Sequence, residues 1–173
     1  MKKIALIFCA GLILYSCAKV PLTGRSQLAL VSNEEIQPLV DEQYDEVLKE
    51  DKVVTNTADG QKVLKVGKRM AQAVESYLAS QGYTELANSF HWEFNLLESD
   101  QVNAWCMPGG KVAFYTGIMP LTQTETGIAV VMGHEIAHAV ASHSAERMSN
   151  GMVTNLGVSV LSSAIGQNPS MTQ

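Results

Sequence analysis

Apolar positions change their spacing along the chain, and the changes mark its elements. Ile4 to Leu14 is an unbroken apolar run of eleven residues. Residues 18 to 31 are mostly polar and predict an extended lead. Ser32-Asn33-Glu34-Glu35 then has the form of a capping box, followed by Ile36, Leu39, Val40, Tyr44, Val47 and Leu48 at helical spacing. A turn-rich break over 51–60 precedes a second helix marked by Val63, Leu64, Val66, Met70, Val74, Tyr77 and Leu78 and ended near Gly82. Phe90 to Leu96 alternates and predicts a strand with His91, Glu93 and Asn95 on one face; Val112 to Thr116 reads as its partner strand. Thr122-Gln123-Thr124-Glu125 reads as another capping box. The almost wholly apolar Gly127 to Gly133 follows, in a buried helix expected to run on through Arg147. Helices, a small sheet and one apolar helix predict an α+β fold.

The first apolar run is too short to cross a bilayer core, which needs about 20 residues. It follows Met1-Lys2-Lys3 and precedes Leu14-Tyr15-Ser16-Cys17, which reads as a lipoprotein signal with Cys17 as the acylated residue. Tyr15 departs from the small or aliphatic residue usual there; a plain secretory signal is the alternative. The expected organisation is a signal peptide over 1–16, a lipid anchor and lead over 17–31, and a peptidase portion over 32–173. Without the signal and its Cys9, only Cys17 and Cys106 of the three cysteines remain, so no disulfide framework is expected. Hydrophobic residues make up 46% of the chain, enough for a core. The mature part carries 10 basic and 17 acidic side chains, a formal charge of −7, and shows no basic patch for nucleic acid.

His134-Glu135-Ile136-Ala137-His138 carries the chemistry. At about 100° per residue, histidines four apart lie about 40° from each other on one helix face and can share one metal ion. Glu135 is placed to take a proton from a water that the metal acidifies. The plain alternative is two helix histidines with no metal. His143 is nine residues past His134, about 180° round a continuous helix, and is expected to face away in a packing or surface role. A metzincin pattern is excluded, because Ala141 and Ser144 stand where a glycine and a third histidine would be. Glu146 and Arg147 read either as a solvated last turn or as a charge pair supporting the helix. His91, a lone histidine on a strand, reads as structural.

HEIAHAVASHSAER (134–147), preceded by Asn103-Ala104-Trp105-Cys106-Met107-Pro108-Gly109-Gly110-Lys111, resembles the M48 zinc metallopeptidases, and Cys17 to Leu28 resembles the start of their bacterial lipoprotein members. The resemblance implies a zincin-like fold, one Zn²⁺ on His134 and His138, and Glu135 as the base. It also implies an edge strand beside the zinc, where Asn103, Ala104, Pro108, Gly109, Gly110, Lys111 and Val112 bind an extended substrate by strand addition. Read by itself, Pro108-Gly109-Gly110 is as well an ordinary turn. The family's third zinc ligand is a glutamate on a later helix. No Asp, Glu, His or Cys follows Glu146, so the chain is expected to be cut short of that ligand and inactive as it stands. The implied substrates are unfolded or misassembled envelope polypeptides, met at the periplasmic face of the outer membrane. Two rivals are a non-catalytic, chaperone-like assembly lipoprotein that keeps the fold and a protein whose zinc is only structural.

Overall fold

The computed structural model describes residues 17–166. The expected signal peptide at 1–16 and the tail 167–173 lie outside the described residues. No helix among the described residues is long and apolar enough to cross a membrane.

The lead is not an extended tether. It folds into an antiparallel hairpin of β1 (Cys17–Lys19) and β2 (Ser26–Leu28), with Cys17 opposite Leu28. Leu22 and Gly24 turn the chain between them in the left-handed region, at φ 68° and 67°. Val20 and Gln27 are buried beneath the hairpin. Docking, not sequence period, makes this segment regular, because two three-residue strands cannot hold together in water alone.

The first predicted helix forms as α1 (Asn33–Glu50). Its capping box is complete: the Ser32 hydroxyl accepts the Glu35 N–H at 3.2 Å, and the Glu35 carboxylate accepts the Ser32 N–H at 2.7 Å. Ile36, Val40 and Tyr44 form its buried stripe, whereas Leu39 is exposed. The second helix, α2 (Ala58–Ser80), buries Val63, Val66, Ala71 and Leu78. It ends at Gln81 and turns through Gly82 at φ 85°, before the short α3 (Thr84–Asn88).

The expected strands do pair, in an order and direction that their sequences do not specify. β3 (Glu93–Leu97) and β5 (Lys111–Tyr115) are neighbours, but they run parallel, with Phe94 opposite Val112. Between them in sequence lies β4 (Ala104–Met107), antiparallel to β5 on its other side, so the order is β3-β5-β4. Parallel neighbours need a crossover, and the return strand β4 supplies it. Alternation around β3 holds as read. Phe90, Trp92 and Phe94 stack on one face, with centroids 4.5 and 6.0 Å apart. On the other face Glu93 pairs with Lys111, and the Asn95 amide donates to Tyr44 Oη at 2.9 Å.

The chain then makes α4 (Met119–Thr122), α5 (Glu125–Val140) and α6 (His143–Gly166). One core joins α2, the sheet and α5 through Val63, Phe94, Val112, Phe114, Ile128 and Met132. The architecture is α+β, rich in helix around a small sheet. Two expectations for α5 fail. Its N-cap is Thr124, whose hydroxyl accepts from Gly127 N–H, while the buried Thr122 hydroxyl donates back to Ile118 and Met119 carbonyls. Glu125 instead pairs with Lys65 and Arg69. The helix is also not buried all round, since Val130 is 69% exposed.

α2 and β3 approach so closely that Gly67 has no room for a side chain: a Cβ there would lie 2.4 Å from the Phe94 ring. Phe94 is itself buried and stacked on Trp92. Gly67→Ala is therefore expected to destabilise the fold by about 1–3 kcal/mol despite alanine's better helix propensity. A denaturant midpoint equal to or above that of wild type would show that the contact yields freely.

Candidate metal centre

The rotation of α5 sets the site. Ile128, Met132 and Ile136, four residues apart, are buried against α2 and the sheet. His134 and His138 each follow a buried residue by two positions, about 200° further round, so both turn away from the core. The His134 and His138 Nε2 atoms stand 3.1 Å apart, with ring centroids at 4.6 Å and planes at 86°. Glu135 is half-buried and makes no hydrogen bond or ion pair among the described residues. It lies on the side of β4, where its charge and, more strongly, burial push the Cys106 thiol up to about 12. Cys106 is therefore a neutral thiol near pH 7 when no metal is bound.

The helix does not run on to Arg147. Ala141 caps α5, and Ser142 takes the left-handed conformation at φ 56°, uncommon for a residue other than glycine. α6 restarts at His143 and folds it back on the site. His143 Nδ1 lies 2.5 Å from His138 Nδ1, with centroids 4.8 Å apart. The expected outward position of His143 assumed an unbroken helix and is wrong. Its contact is with the nitrogen of His138 opposite the one facing His134, so His143 is not aimed at the point the other two share. Among the described residues, no group of three His, Cys, Asp or Glu side chains stands ready to hold a metal.

The N-terminal hairpin closes the other side. A cavity of about 310 Å³ is lined by His134, His138 and His143 on the helices and by Val20, Thr23 and Arg25 on the lead. Arg25 makes a two-pronged ion pair with Glu146, both N···O distances 2.7 Å. Glu146 is thus paired with the lead and not with Arg147, whose guanidinium reaches Ser144 at 3.3 Å. Nothing in the sequence points to this pair, because its members are 121 residues apart. A second cavity, about 240 Å³ and mainly apolar, shares Val20 and Ala137 with the first and extends between Leu22, Met70, Val74 and Tyr77.

The expected substrate strand divides into parts with different fates. Asn103 is exposed and Ala104 opens β4, the sheet's edge. Pro108, Gly109 and Gly110 form a buried turn. Gly109 lies under Gln37 and Gly110 under Trp92, and the Gly109 carbonyl accepts His91 N–H at 2.7 Å. Lys111 and Val112 belong to β5, the central strand, and Val112 is fully buried. An incoming peptide cannot pair with a strand flanked on both sides, so the edge narrows to Asn103 through Met107.

The description of peptidase family M48 matches residues 63–173. The mitochondrial metalloendopeptidase OMA1 of Schizosaccharomyces pombe is 36% identical over 80 residues, 46% of this chain and 23% of that protein. Human OMA1 is 29% identical over 133 residues, 77% of this chain and 24% of that protein. The beta-barrel assembly-enhancing protease of Escherichia coli is 34% identical over 61 residues, 35% of this chain and 12% of that protein. The chain spans about a quarter or less of the length of these curated relatives.

The hydrogen bonds and charge of Arg25 hold the Glu146 carboxyl below the usual carboxylate range. A depressed folded pKa stabilises the fold above the unfolded pKa, and that contribution disappears as pH falls through the folded value. Wild type is thus expected to lose melting temperature more steeply than Glu146→Gln on acidification below the ordinary carboxylate pKa. Parallel melting curves for the two proteins across that range would show that the pair contributes nothing to docking of the lead.

Proposed function

The chain belongs to peptidase family M48, a family of metallopeptidases, and on that premise we propose that it serves a zinc-dependent metalloendopeptidase acting on unfolded or misassembled envelope polypeptides. The observation that carries this reading is the convergence of His134 and His138. Two nitrogens sharing a tetrahedral Zn²⁺ at about 2.0–2.1 Å each are about 3.3 Å apart. The 3.1 Å separation of the Nε2 atoms fits that requirement. A bound Zn²⁺ supplies Lewis acidity, which polarises the scissile carbonyl and acidifies water.

The chain's own residues do the rest. His134 and His138 would hold the metal through their facing Nε2 atoms. The Glu135 carboxylate takes the proton from the attacking water as its oxygen bonds to the carbonyl carbon. It returns that proton to the amide nitrogen as the C–N bond breaks. Among the described residues it has no hydrogen-bond or ion-pair partner, which leaves both oxygens open to this transfer.

β4 suits an extended substrate. Tyr115 N–H donates to the Asn103 carbonyl, so the alternation of an antiparallel ladder turns the N–H and C=O of Ala104 and Cys106 outward. Asn103 Oδ1 meets the Ala104 N–H at 2.9 Å, a bond that a peptide carbonyl would replace. The apolar cavity beside the histidines would take an apolar side chain next to the scissile bond. An extended strand is available in unfolded chains and not in folded ones, which selects the substrate class. The Escherichia coli relative is a beta-barrel assembly-enhancing protease, which supports the envelope as the place. An acylated Cys17 would lie three residues from Val20 in the cavity wall, holding the site at the membrane's periplasmic face.

Cleavage of an unfolded outer-membrane protein by the zinc-loaded full-length protein tests this reading. Glu135→Gln is expected to keep the metal and lower turnover by about 10²–10⁴. His134→Ala and His138→Ala are expected to lose metal and activity together. Wild-type turnover retained in Glu135→Gln would remove Glu135 as the base. Zinc-independent binding of unfolded chains without cleavage would favour the assembly-factor role. Methylating alternate substrate amide nitrogens should reduce cleavage only in the register that faces Ala104 and Cys106. Equal loss in both registers would exclude pairing along β4.

A further inference from the structure

Among the described residues, His143 is held more tightly than a surface histidine needs to be. Its helix is clamped at three points. Arg25 pairs with Glu146 at 2.7 Å, and Asn33 Nδ2 donates to Ser142 Oγ at 3.0 Å. The fully buried Ser149 hydroxyl accepts Leu30 N–H at 2.9 Å and Val31 N–H at 3.3 Å. These contacts tie the first two turns of α6 to the lead and to the start of α1. The Ser142 backbone takes a conformation that a non-glycine residue rarely adopts, and the consequence of that turn is the His138–His143 contact. Had α5 continued, His143 would lie about 140° round from His138 and could not meet it.

The two contacts of His138 use opposite ring nitrogens. Nε2 faces His134, and Nδ1 faces His143. A neutral imidazole carries a proton on one nitrogen and a lone pair on the other. If Nδ1 carries the proton, it donates to the lone pair of His143 Nδ1, and Nε2 is left as the metal-binding lone pair. Ligand histidines are generally oriented in this way, by a partner at the second nitrogen. The partner here is another imidazole, held by the lead.

We infer that His143 is a positioning residue for His138: it accepts the Nδ1 proton, fixes the tautomer with a free Nε2, and aims that nitrogen at the point shared with His134. The inference rests on the metal reading of His134 and His138, but its first test needs no metal. In the metal-free full chain, at a pH where both rings are neutral, long-range ¹H–¹⁵N spectra are expected to show His138 protonated at Nδ1 and His143 at Nε2. His143→Ala should return His138 to a mixture of tautomers while the circular dichroism spectrum stays that of wild type. His143→Asn, which can present an oxygen near the place of Nδ1, should restore the Nδ1–H form.

The second test is zinc affinity by competition with a chromophoric chelator. His143→Ala is expected to bind about 10–100-fold more weakly than wild type, with His143→Asn between them. His138 found protonated at Nε2 in wild type overturns the inference, as does a zinc affinity in His143→Ala equal to that of wild type. Equal losses in the Ala and Asn variants would reduce His143 to packing and overturn it too. Wild type with the expected tautomers but no zinc binding would sink the metal reading and leave the orientation of His138 by His143 standing.

Discussion

The burial of one face of α5 is the constraint from which the site follows. Ile128, Met132 and Ile136 are each at most 2% exposed, and they pack where α2 and the sheet meet. A helix held along such a stripe cannot rotate about its axis without exposing it, at a cost of about 1.5–3 kcal/mol for each large side chain uncovered. With rotation settled, the positions two residues after Met132 and Ile136 must face outward. Those positions hold His134 and His138. Glu135, between them, falls toward the sheet edge and is half-buried beside β4. The core thus does for the candidate ligands what no local interaction could do: it points two long, rotatable side chains the same way.

The second structural element of the site is distant in sequence. The hairpin of β1 and β2 contributes Val20, Thr23 and Arg25 to the histidine cavity, and Arg25 reaches Glu146 on the opposite wall. A segment so short and polar has little core of its own. Its order comes from buried Val20, from the Arg25–Glu146 pair and from the backbone donors that Ser149 accepts. The same contacts hold the start of α6, so the lead and the break after α5 support each other. A membrane anchor at the head of this hairpin would therefore be attached to the wall of the site and not to a free linker.

Local patterns were legible where local chemistry decides. The Ser32–Glu35 capping box forms with both of its bonds, and Ile36, Val40 and Tyr44 are buried as their spacing predicts. The alternation from Phe90 to Asn95 places aromatic rings on one face and polar groups on the other. The Thr122–Glu125 capping box failed although its spacing is equally good. Thr124 was available two residues later, and Thr122 is buried with its hydroxyl bonded to preceding carbonyls. β4 was expected only from the family resemblance, as part of an edge strand over Asn103 to Val112, because Trp105, Cys106 and Met107 do not alternate in polarity. The parallel pairing of β3 with β5 is a property of topology that neither strand encodes.

What the sequence by itself determined is the phase of α5 and the chemistry on it: His134, Glu135 and His138 at helical spacing, behind an apolar stripe that can only turn inward. Residue spacing along one helix is a local property, and 3.6 residues per turn converts it directly into direction. Only the tertiary structure decided the surroundings. The left-handed Ser142 ends that direct conversion, so His143 arrives beside His138 and not behind it. The wall at Arg25, the burial of Pro108 to Gly110 and the central place of Val112 depend on contacts between segments far apart in the chain. Such contacts are chosen by packing and charge in three dimensions, and no spacing in the sequence encodes them.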